Sequence, residues 1–154
     1  MNQDTFTLST KTQRELKKAG VALVYFFGSR ASGNYFPFSD FDIGIVMKKK
    51  RINTGKVGKL YNMIYDILSS EILDEPAVLD NFVESPKLDI AFLQRANPVI
   101  AMKAIRQGKI LFESSGKLRA DFEEEIFKKY DDYSTIQREY EEANIKAFEK
   151  VTGK

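Results

Sequence analysis

The 154-residue sequence contains no histidine and no cysteine. Without histidine, the chain cannot build a Ser-His-Asp triad, a histidine general base or a histidine-ligated zinc site. Without cysteine, disulfides and thiolate metal sites are excluded as well. Any catalysis therefore has to use carboxylates, lysine, tyrosine or hydroxyl groups, together with a metal ion that is bound by oxygen atoms.

Long hydrophobic runs and a strong net charge are also missing. The longest apolar run, Val21 to Phe27, has seven residues, whereas a membrane-spanning helix needs about 20. Residues 1–10 do not resemble a signal peptide, so we expect a cytoplasmic protein with no membrane partner. A net charge of +2 is too small to indicate nucleic-acid binding. With 43% hydrophobic and 30% charged residues, the chain is typical of one globular domain.

Predicted strands and helices alternate along the chain, which favours an α/β (α+β) layer architecture. Apolar runs predict strands at 21–27, 41–47, 88–93 and 110–112. Caps and apolar periodicity predict helices from Ser9 or Thr10 to about Lys18, over 57–70, and from Asn97 as N-cap with Gly108 beyond its end. We therefore expect a small mixed sheet of about three to five strands covered by helices.

The tail from Lys117 onward is predicted to be helical. Its apolar residues recur at steps of three and four from Leu118 to Ala147. Because a helix longer than about 25 residues is unusual in a globular protein, we expect a break near Asp131–Ser134. We divide the chain into a core, 1–115, and a C-terminal helical extension, 116–154, of the same domain. The apolar stripe fits core packing, a homo-oligomer or a partner surface.

The segment between the first two predicted strands carries the candidate site. It reads Gly28-Ser29-Arg30-Ala31-Ser32-Gly33 and, after five intervening residues, Ser39-Asp40-Phe41-Asp42. A turn of small residues after a strand can hold phosphate oxygens on backbone N–H groups. Asp40 and Asp42 are two residues apart, so in a strand both side chains point to the same face. Since Mg²⁺ is usually held by carboxylates and phosphates, the segment predicts a site for a nucleoside triphosphate and its metal.

The same segment resembles the signature of the DNA polymerase β-like nucleotidyltransferases, which is G-S, ten residues and D-x-D. Gly28-Ser29, residues 30–39 and Asp40-Phe41-Asp42 reproduce this spacing without a gap. The fuller form of the signature is also met, by Ala31, Gly33 and Ser39. Seven such matches would arise by chance in a chain of this length on the order of once in a million, so the resemblance is specific. The chain is most similar to the minimal nucleotidyltransferases of prokaryotes, because its length leaves little room for nucleic-acid-binding domains.

This resemblance implies the polymerase β-like fold and a third metal-binding aspartate on a later strand of the sheet. Asp89 is the best candidate, because it lies among apolar residues of a predicted strand, where an unpaired carboxylate is costly unless it faces a site. Asp74 and Asp80 are the alternatives. The expected catalytic and metal-binding set is therefore Asp40, Asp42 and Asp89, with two Mg²⁺ ions.

The resemblance also implies that ATP binds at the start of the segment. Gly28 and Ser29 are expected to hold its β- and γ-phosphates, because glycine permits close backbone approach. Arg30 and Ser39 complete the predicted nucleotide-binding set. Arg30 could instead pair with a neighbouring acidic residue.

The aromatic and acidic tail, Phe122 to Tyr140, is similar to that of family members paired with a HEPN-domain protein. In those modules the HEPN protein is a ribonuclease toxin, and the nucleotidyltransferase is an antitoxin that transfers AMP from ATP to the toxin. The resemblance therefore implies Mg²⁺-dependent transfer of AMP to a protein hydroxyl. Two alternatives stay open, a small-molecule nucleotidyltransferase of the aminoglycoside type and a non-catalytic binding antitoxin. Gly44 departs from the family, which usually has an apolar residue there.

Overall fold

A computed structural model describes residues 7–36, 38–73 and 86–153 of the chain. The helices are α1 (Thr10–Lys18), α2 (Gly28–Ser32), α3 (Val57–Ile72), α4 (Pro98–Gln107) and α5 (Gly116–Thr152), and a 3-10 turn, Thr54–Lys56, precedes α3. The strands are β1 (Val21–Phe27), β2 (Phe41–Met47), β3 (Leu88–Phe92) and β4 (Lys109–Glu113). They form one sheet in the order β3-β2-β1-β4. β1 is antiparallel to β2 and β4, and β2 is parallel to β3, so the predicted mixed sheet covered by helices is confirmed.

β1 lies at the centre of the molecule, and all seven of its residues are buried. Val24 and Phe26 belong to the core cluster on the face that α1 and α3 cover, whereas Leu23 and Tyr25 belong to the cluster under α4 and α5. A strand that is buried on both faces needs apolar side chains in both directions. This is why its sequence is a continuous apolar run and why the prediction of a central strand is confirmed.

The helix starts follow their predicted caps. Ser9 Oγ accepts a hydrogen bond from the Thr12 amide at 3.2 Å and begins α1, and Asn97 Oδ1 accepts one from the Val99 amide at 2.8 Å and begins α4. Such caps satisfy amide groups that have no partner within the helix. β3 ends one residue earlier than predicted, and α3 ends two residues later. Within the described ranges, no helix is both long and apolar enough to cross a membrane.

The predicted break near Asp131–Ser134 is wrong, because α5 runs without interruption from Gly116 to Thr152. Its interior contains no glycine or proline after Gly116, so nothing in the sequence interrupts the backbone hydrogen bonds. Ion pairs between residues four apart stabilise its first half: Lys117–Asp121, Arg119–Glu123, Glu124–Lys128 and Glu125–Lys129. The usual limit on helix length reflects the size of the core that a helix covers, and α5 extends past its core.

The two halves of α5 have different surroundings. In the inner half, residues 116–134, Phe122 and Ile126 are buried under the sheet. The Tyr25 hydroxyl donates to Glu123 Oε1 at 2.9 Å, which ties this half to β1. Burial and, next, the Glu123 carboxylate raise the pKa of Tyr25, so the hydroxyl stays a donor. In the outer half, residues 135–152, every side chain is exposed. The division of the chain at residue 116 stays a prediction.

Candidate functional site

Two strands bring the predicted acidic residues together. Asp42 lies in β2 and is the direct partner of Asp89 in the parallel strand β3. Partners on adjacent strands are about 4.8 Å apart and point to the same face. In β3 the residues on either side of Asp89, Leu88 and Ile90, are buried, so the Asp89 carboxylate lies on the opposite face and is exposed. Asp40 comes immediately before β2.

The charges of these carboxylates act on one another. The pKa of Asp42 is raised above its usual 3.8, first by burial, then by the negative charge of Asp89 and, more weakly, by that of Asp40. The positive charge of Lys103 in α4 opposes this shift. Like charges that are held close together disfavour ionisation, and a bound cation would remove that penalty. The site therefore concentrates negative charge, which Lys103 offsets only in part.

Asp40 also has a structural contact. Its Oδ1 accepts a hydrogen bond from the Lys87 amide at 2.9 Å, while the Lys87 carbonyl accepts one from the Phe41 amide at 2.8 Å. These bonds join the start of β3 to the start of β2. Among the residues that the structure describes, no three acidic side chains are already arranged to hold a metal ion. The predicted set of ligands nevertheless fits Mg²⁺, because it consists of carboxylate oxygens that share excess negative charge.

Gly28 lies directly against the Asp42 carboxylate. It follows Phe27, which is the antiparallel partner of Asp42, and it opens α2 with φ +77°. A Cβ atom at this position would lie 1.9 Å from Asp42 Oδ2, which is far inside van der Waals contact. Glycine is therefore required for the close approach as well as for the left-handed backbone. Half-buried Ser29 is the next residue of α2, so the G-S and D-x-D parts of the signature meet.

Arg30 and Ser39 hold the loop between α2 and β2. The Arg30 Nε group donates to the Ser39 carbonyl, and its guanidinium lies over the rings of Phe41 and Tyr35, 4.1 and 4.8 Å from their centroids. Ser39 Oγ accepts a hydrogen bond from the Phe36 amide at 3.0 Å. Both residues therefore stabilise the loop beside the acidic cluster. Their nucleotide binding stays a prediction.

Two features of the site had no signal in the sequence. Lys103 is a single lysine on a helix whose sequence shows only its caps and its apolar face. The cluster of exposed aromatic residues before Asp40 falls within the unspecified part of the signature. Gly44, by contrast, now has a packing reason, since a Cβ there would lie 2.7 Å from Cδ1 of the buried Leu93. Asp74 and Asp80, the alternatives to Asp89, lie outside the described residues.

The sheet, the acidic cluster and the glycine turn together define a nucleotidyltransferase, and comparison with known proteins gives the family. Residues 10–117 match the family model of polymerase beta nucleotidyltransferases. Because this match covers more than half of the chain, the protein belongs to that family. The predicted enzyme class and polymerase β-like fold are thereby confirmed.

Individual relatives share less than 30% sequence identity with this chain. The protein adenylyltransferase MntA of Aphanizomenon flos-aquae (strain 2012/KM1/D3) is 27% identical over 118 residues, which are 75% of this chain and 73% of the relative. A crystal structure of a toxin–antitoxin with AMP-PNP matches with a TM-score of 0.57 at 21% identity, covering 91% of this chain and 99% of the other. The complex of a tri-AMPylated HEPN toxin of Shewanella oneidensis with its MNT antitoxin matches with a TM-score of 0.50 at 18% identity, over 92% and 99% of the two chains.

Proposed function

We propose that this protein transfers AMP from ATP to a hydroxyl group of a HEPN-type protein in a Mg²⁺-dependent reaction, and that it is the antitoxin of that partner. The observation that carries the proposal is the pairing of Asp42 with Asp89 on adjacent strands, directly beside Gly28. The nature of the acceptor is supported by the relatives, one of which is a protein adenylyltransferase and another an antitoxin bound to an AMPylated HEPN toxin. The cytoplasm stays the predicted location.

The residues of the segment divide the work of binding ATP. Gly28 has no side chain, so the phosphates can approach the backbone and the Asp42 carboxylate at the same time. The Ser29 hydroxyl donates to a phosphate oxygen. Arg30 and Ser39 keep the loop in place around the triphosphate and, as the sequence predicts, add contacts to it.

In the transfer, the acceptor oxygen forms a bond to the α-phosphorus, and the bond from that phosphorus to the bridging oxygen breaks, so that pyrophosphate leaves. A carboxylate oxygen of Asp89 takes the proton of the acceptor hydroxyl. Asp40, Asp42 and Asp89 form the site for two Mg²⁺ ions. When bound, these ions stabilise the charge on the entering and leaving oxygens.

The substitution Asp40→Asn tests this assignment. The amide oxygen still accepts the hydrogen bond from the Lys87 amide, so the fold is retained, while the loss of charge weakens a site for a hard cation. With ATP labelled on its α-phosphate and a HEPN-type protein as the acceptor, we expect transfer to fall about 10²–10³-fold. Asp66→Asn, the same change at an exposed position of α3, is the matched control and leaves transfer unchanged.

Other outcomes of the same experiment identify the alternatives. If wild-type protein labels no protein acceptor but labels an aminoglycoside, it is a small-molecule enzyme. If wild-type protein labels neither and both it and the Asp40→Asn variant neutralise the HEPN protein equally, it is a binding antitoxin that keeps the fold. Asp89→Asn is expected to lower turnover more than nucleotide affinity, because its task is at the acceptor.

We further propose that the outer half of α5 binds the HEPN-type partner. Its large apolar side chains are exposed: Ile136, Tyr140, Ile145, Phe148 and Val151. Ile136, Tyr140 and Val151 continue the stripe that Phe122 and Ile126 begin on the core, at successive steps of four, ten, four and eleven residues. A partner would cover this face, and a second copy of the chain is the alternative that light scattering distinguishes.

A further inference from the structure

We propose that Phe36 and Phe38, which we call the aromatic pair, form the docking surface for the segment of the acceptor protein that carries the reacting hydroxyl. This inference rests on the proposed function, because it requires a protein acceptor. It assigns a specificity role to the part of the signature that has no specified residues.

The aromatic pair is unusually exposed for two neighbouring large apolar side chains. Phe36 is 69% exposed and Phe38 is 59% exposed. Their rings lie parallel within 7°, with centroids 5.8 Å apart, and form one continuous apolar surface. Clustered aromatic side chains of this kind are enriched at the centres of protein interfaces, where they provide a large share of the binding energy.

The position of the pair relative to the acidic cluster determines what can cover it. Phe38 is two residues before Asp40, and the chain advances at most about 3.4 Å per residue, so the two backbones are within about 7 Å. A protein whose hydroxyl reaches Asp40, Asp42 and Asp89 therefore has its flanking residues within reach of this loop. This proximity is the reason for assigning the acceptor segment to the aromatic pair.

The described residues next to the pair are already fixed by contacts of this chain. Arg30 packs against the rings of Tyr35 and Phe41, and Phe41 in turn packs against Phe26 of the core, with centroids 6.1 Å apart. The Phe36 amide donates a hydrogen bond to Ser39 Oγ. A surface that is already ordered loses little conformational entropy on binding, which favours a docking function.

A nucleobase is the other aromatic-binding ligand at this site, and the geometry excludes its insertion between the two rings. Insertion of a base between two rings requires about 7–8 Å, twice the carbon–carbon contact distance. The centroids of the aromatic pair are only 5.8 Å apart, and the two rings already contact each other. Phenylalanine also has no polar atom that could select a base. Apolar side chains of a protein fit this surface better.

The test is the double substitution Phe36→Ser/Phe38→Ser in the full-length protein. Both side chains are exposed, so the thermal unfolding temperature stays within experimental error of wild type. We expect the KM for a HEPN-type protein as the acceptor to rise at least tenfold, with kcat at saturating acceptor and the Kd for AMP-PNP each unchanged within twofold. Met63→Ser removes an exposed apolar side chain from α3 and serves as the matched control, with no change in KM.

Three outcomes would overturn the inference, each in a different way. If wild-type protein modifies the HEPN protein and the double variant does so with an unchanged KM, the docking role is wrong and the proposed function stands. If the Kd for AMP-PNP rises instead of the KM for the acceptor, the pair is a platform for the base. If wild-type protein transfers no AMP to the HEPN protein, the proposed function fails first and the inference fails with it.

Discussion

The acidic site and the outer half of α5 each contribute unfavourably to the free energy of the folded protein. The reasons are opposite, since one region holds charge out of water and the other leaves apolar side chains in water. At the site, Asp42 is partly buried beside the like charge of Asp89, and the shift in its pKa shows the resulting penalty. Along the outer half of α5, apolar side chains such as Tyr140 and Phe148 are left in water. A cation with a nucleotide would relieve the first, and a protein surface would relieve the second.

The two regions differ in what keeps them unfavourable. Asp42 and Asp89 are held together, because they are partners in the β2–β3 ladder and Gly28 lies directly against the Asp42 carboxylate. The outer half of α5 is not fixed by any described tertiary contact and is stabilised only as a helix. We infer that the acidic site is preorganised for chemistry, whereas the outer half of α5 becomes fixed when a partner covers it.

The largest effect is expected from Gly28→Ala, which tests the preorganised region. Its Cβ would lie 1.9 Å from Asp42 Oδ2 and would have to displace the carboxylate, in addition to the cost of φ +77°. Under the proposed function, displacement of this carboxylate by 1 Å or more reduces AMP transfer at least 100-fold, as measured with labelled ATP.

Gly33→Ala is the matched control for this prediction. Gly33 has a similar φ of +81°, but a Cβ atom there meets no atom within 4 Å. The control therefore carries only the backbone strain, about 1–2 kcal/mol in unfolding free energy, and retains most of its activity. If both variants lose activity equally, the contact between Gly28 and Asp42 is not what makes glycine necessary.

The sequence was sufficient where one residue type had one physical explanation. The continuous apolar run of β1 predicted a strand buried on both faces, and its ends agree with the structure. An aspartate inside the apolar run of β3 predicted a carboxylate near the first pair, and the structure places Asp89 beside Asp42, while its catalytic role stays a prediction. In both strands the buried apolar residues determine the register, so the local pattern determines the position.

Sequence reasoning was insufficient where the outcome depends on neighbours far along the chain. The charge of Lys103 acts on Asp42 only because α4 packs across the sheet onto the site. The stripe on α5 predicted an apolar face correctly, yet the same spacing is buried at Phe122 and exposed at Tyr140. Periodicity gives the face of a helix, whereas the size of the core determines how far along the helix that face is covered.

A smaller effect is expected from Ile136→Gln/Tyr140→Gln, which tests the outer half of α5. Neither side chain packs on the core, so the unfolding temperature is unchanged, while the affinity for the HEPN-type partner falls at least about tenfold. Binding of the variant to immobilised HEPN-type partner measures this affinity. In the inner half, Phe122→Ala is expected to lower the unfolding free energy by about 3–5 kcal/mol instead, because Phe122 is buried.

Ile145→Gln provides the matched control for the outer half. Ile145 is 58% exposed, close to the 66% of Ile136, but it lies about 140° around the helix from Tyr140, given 100° per residue. Partner affinity should be retained in this control. Equal losses at Ile145 and on the stripe would mean that this half binds through general hydrophobicity, and a change in molar mass without the partner would indicate a homo-oligomer.

The smallest effect is a gain in stability from Asp42→Asn in the absence of metal. Burial, Asp89 and Asp40 raise the pKa of Asp42 in the folded protein above its usual 3.8. Between pH 3.8 and the raised pKa, the folded state binds more protons than the unfolded state. The free energy of unfolding therefore falls as the pH rises through this window and stays reduced above it. An asparagine side chain has no proton to lose and stays uncharged, so the variant avoids this penalty.

At neutral pH and in EDTA, the Asp42→Asn variant should therefore unfold at a higher temperature than wild type, and the difference should disappear below about pH 3.8, where the carboxyl group is protonated in both states. Under the proposed function, addition of Mg²⁺ with AMP-PNP should reverse the order, because only wild type retains all three carboxylates of the proposed cation site. Asp66→Asn on the exposed face of α3 controls for the general effect of removing one negative charge. If Asp42→Asn is less stable than wild type in EDTA, the carboxylate has stabilising contacts that outweigh the repulsion. The acidic site would then not destabilise the folded protein, which contradicts the comparison above.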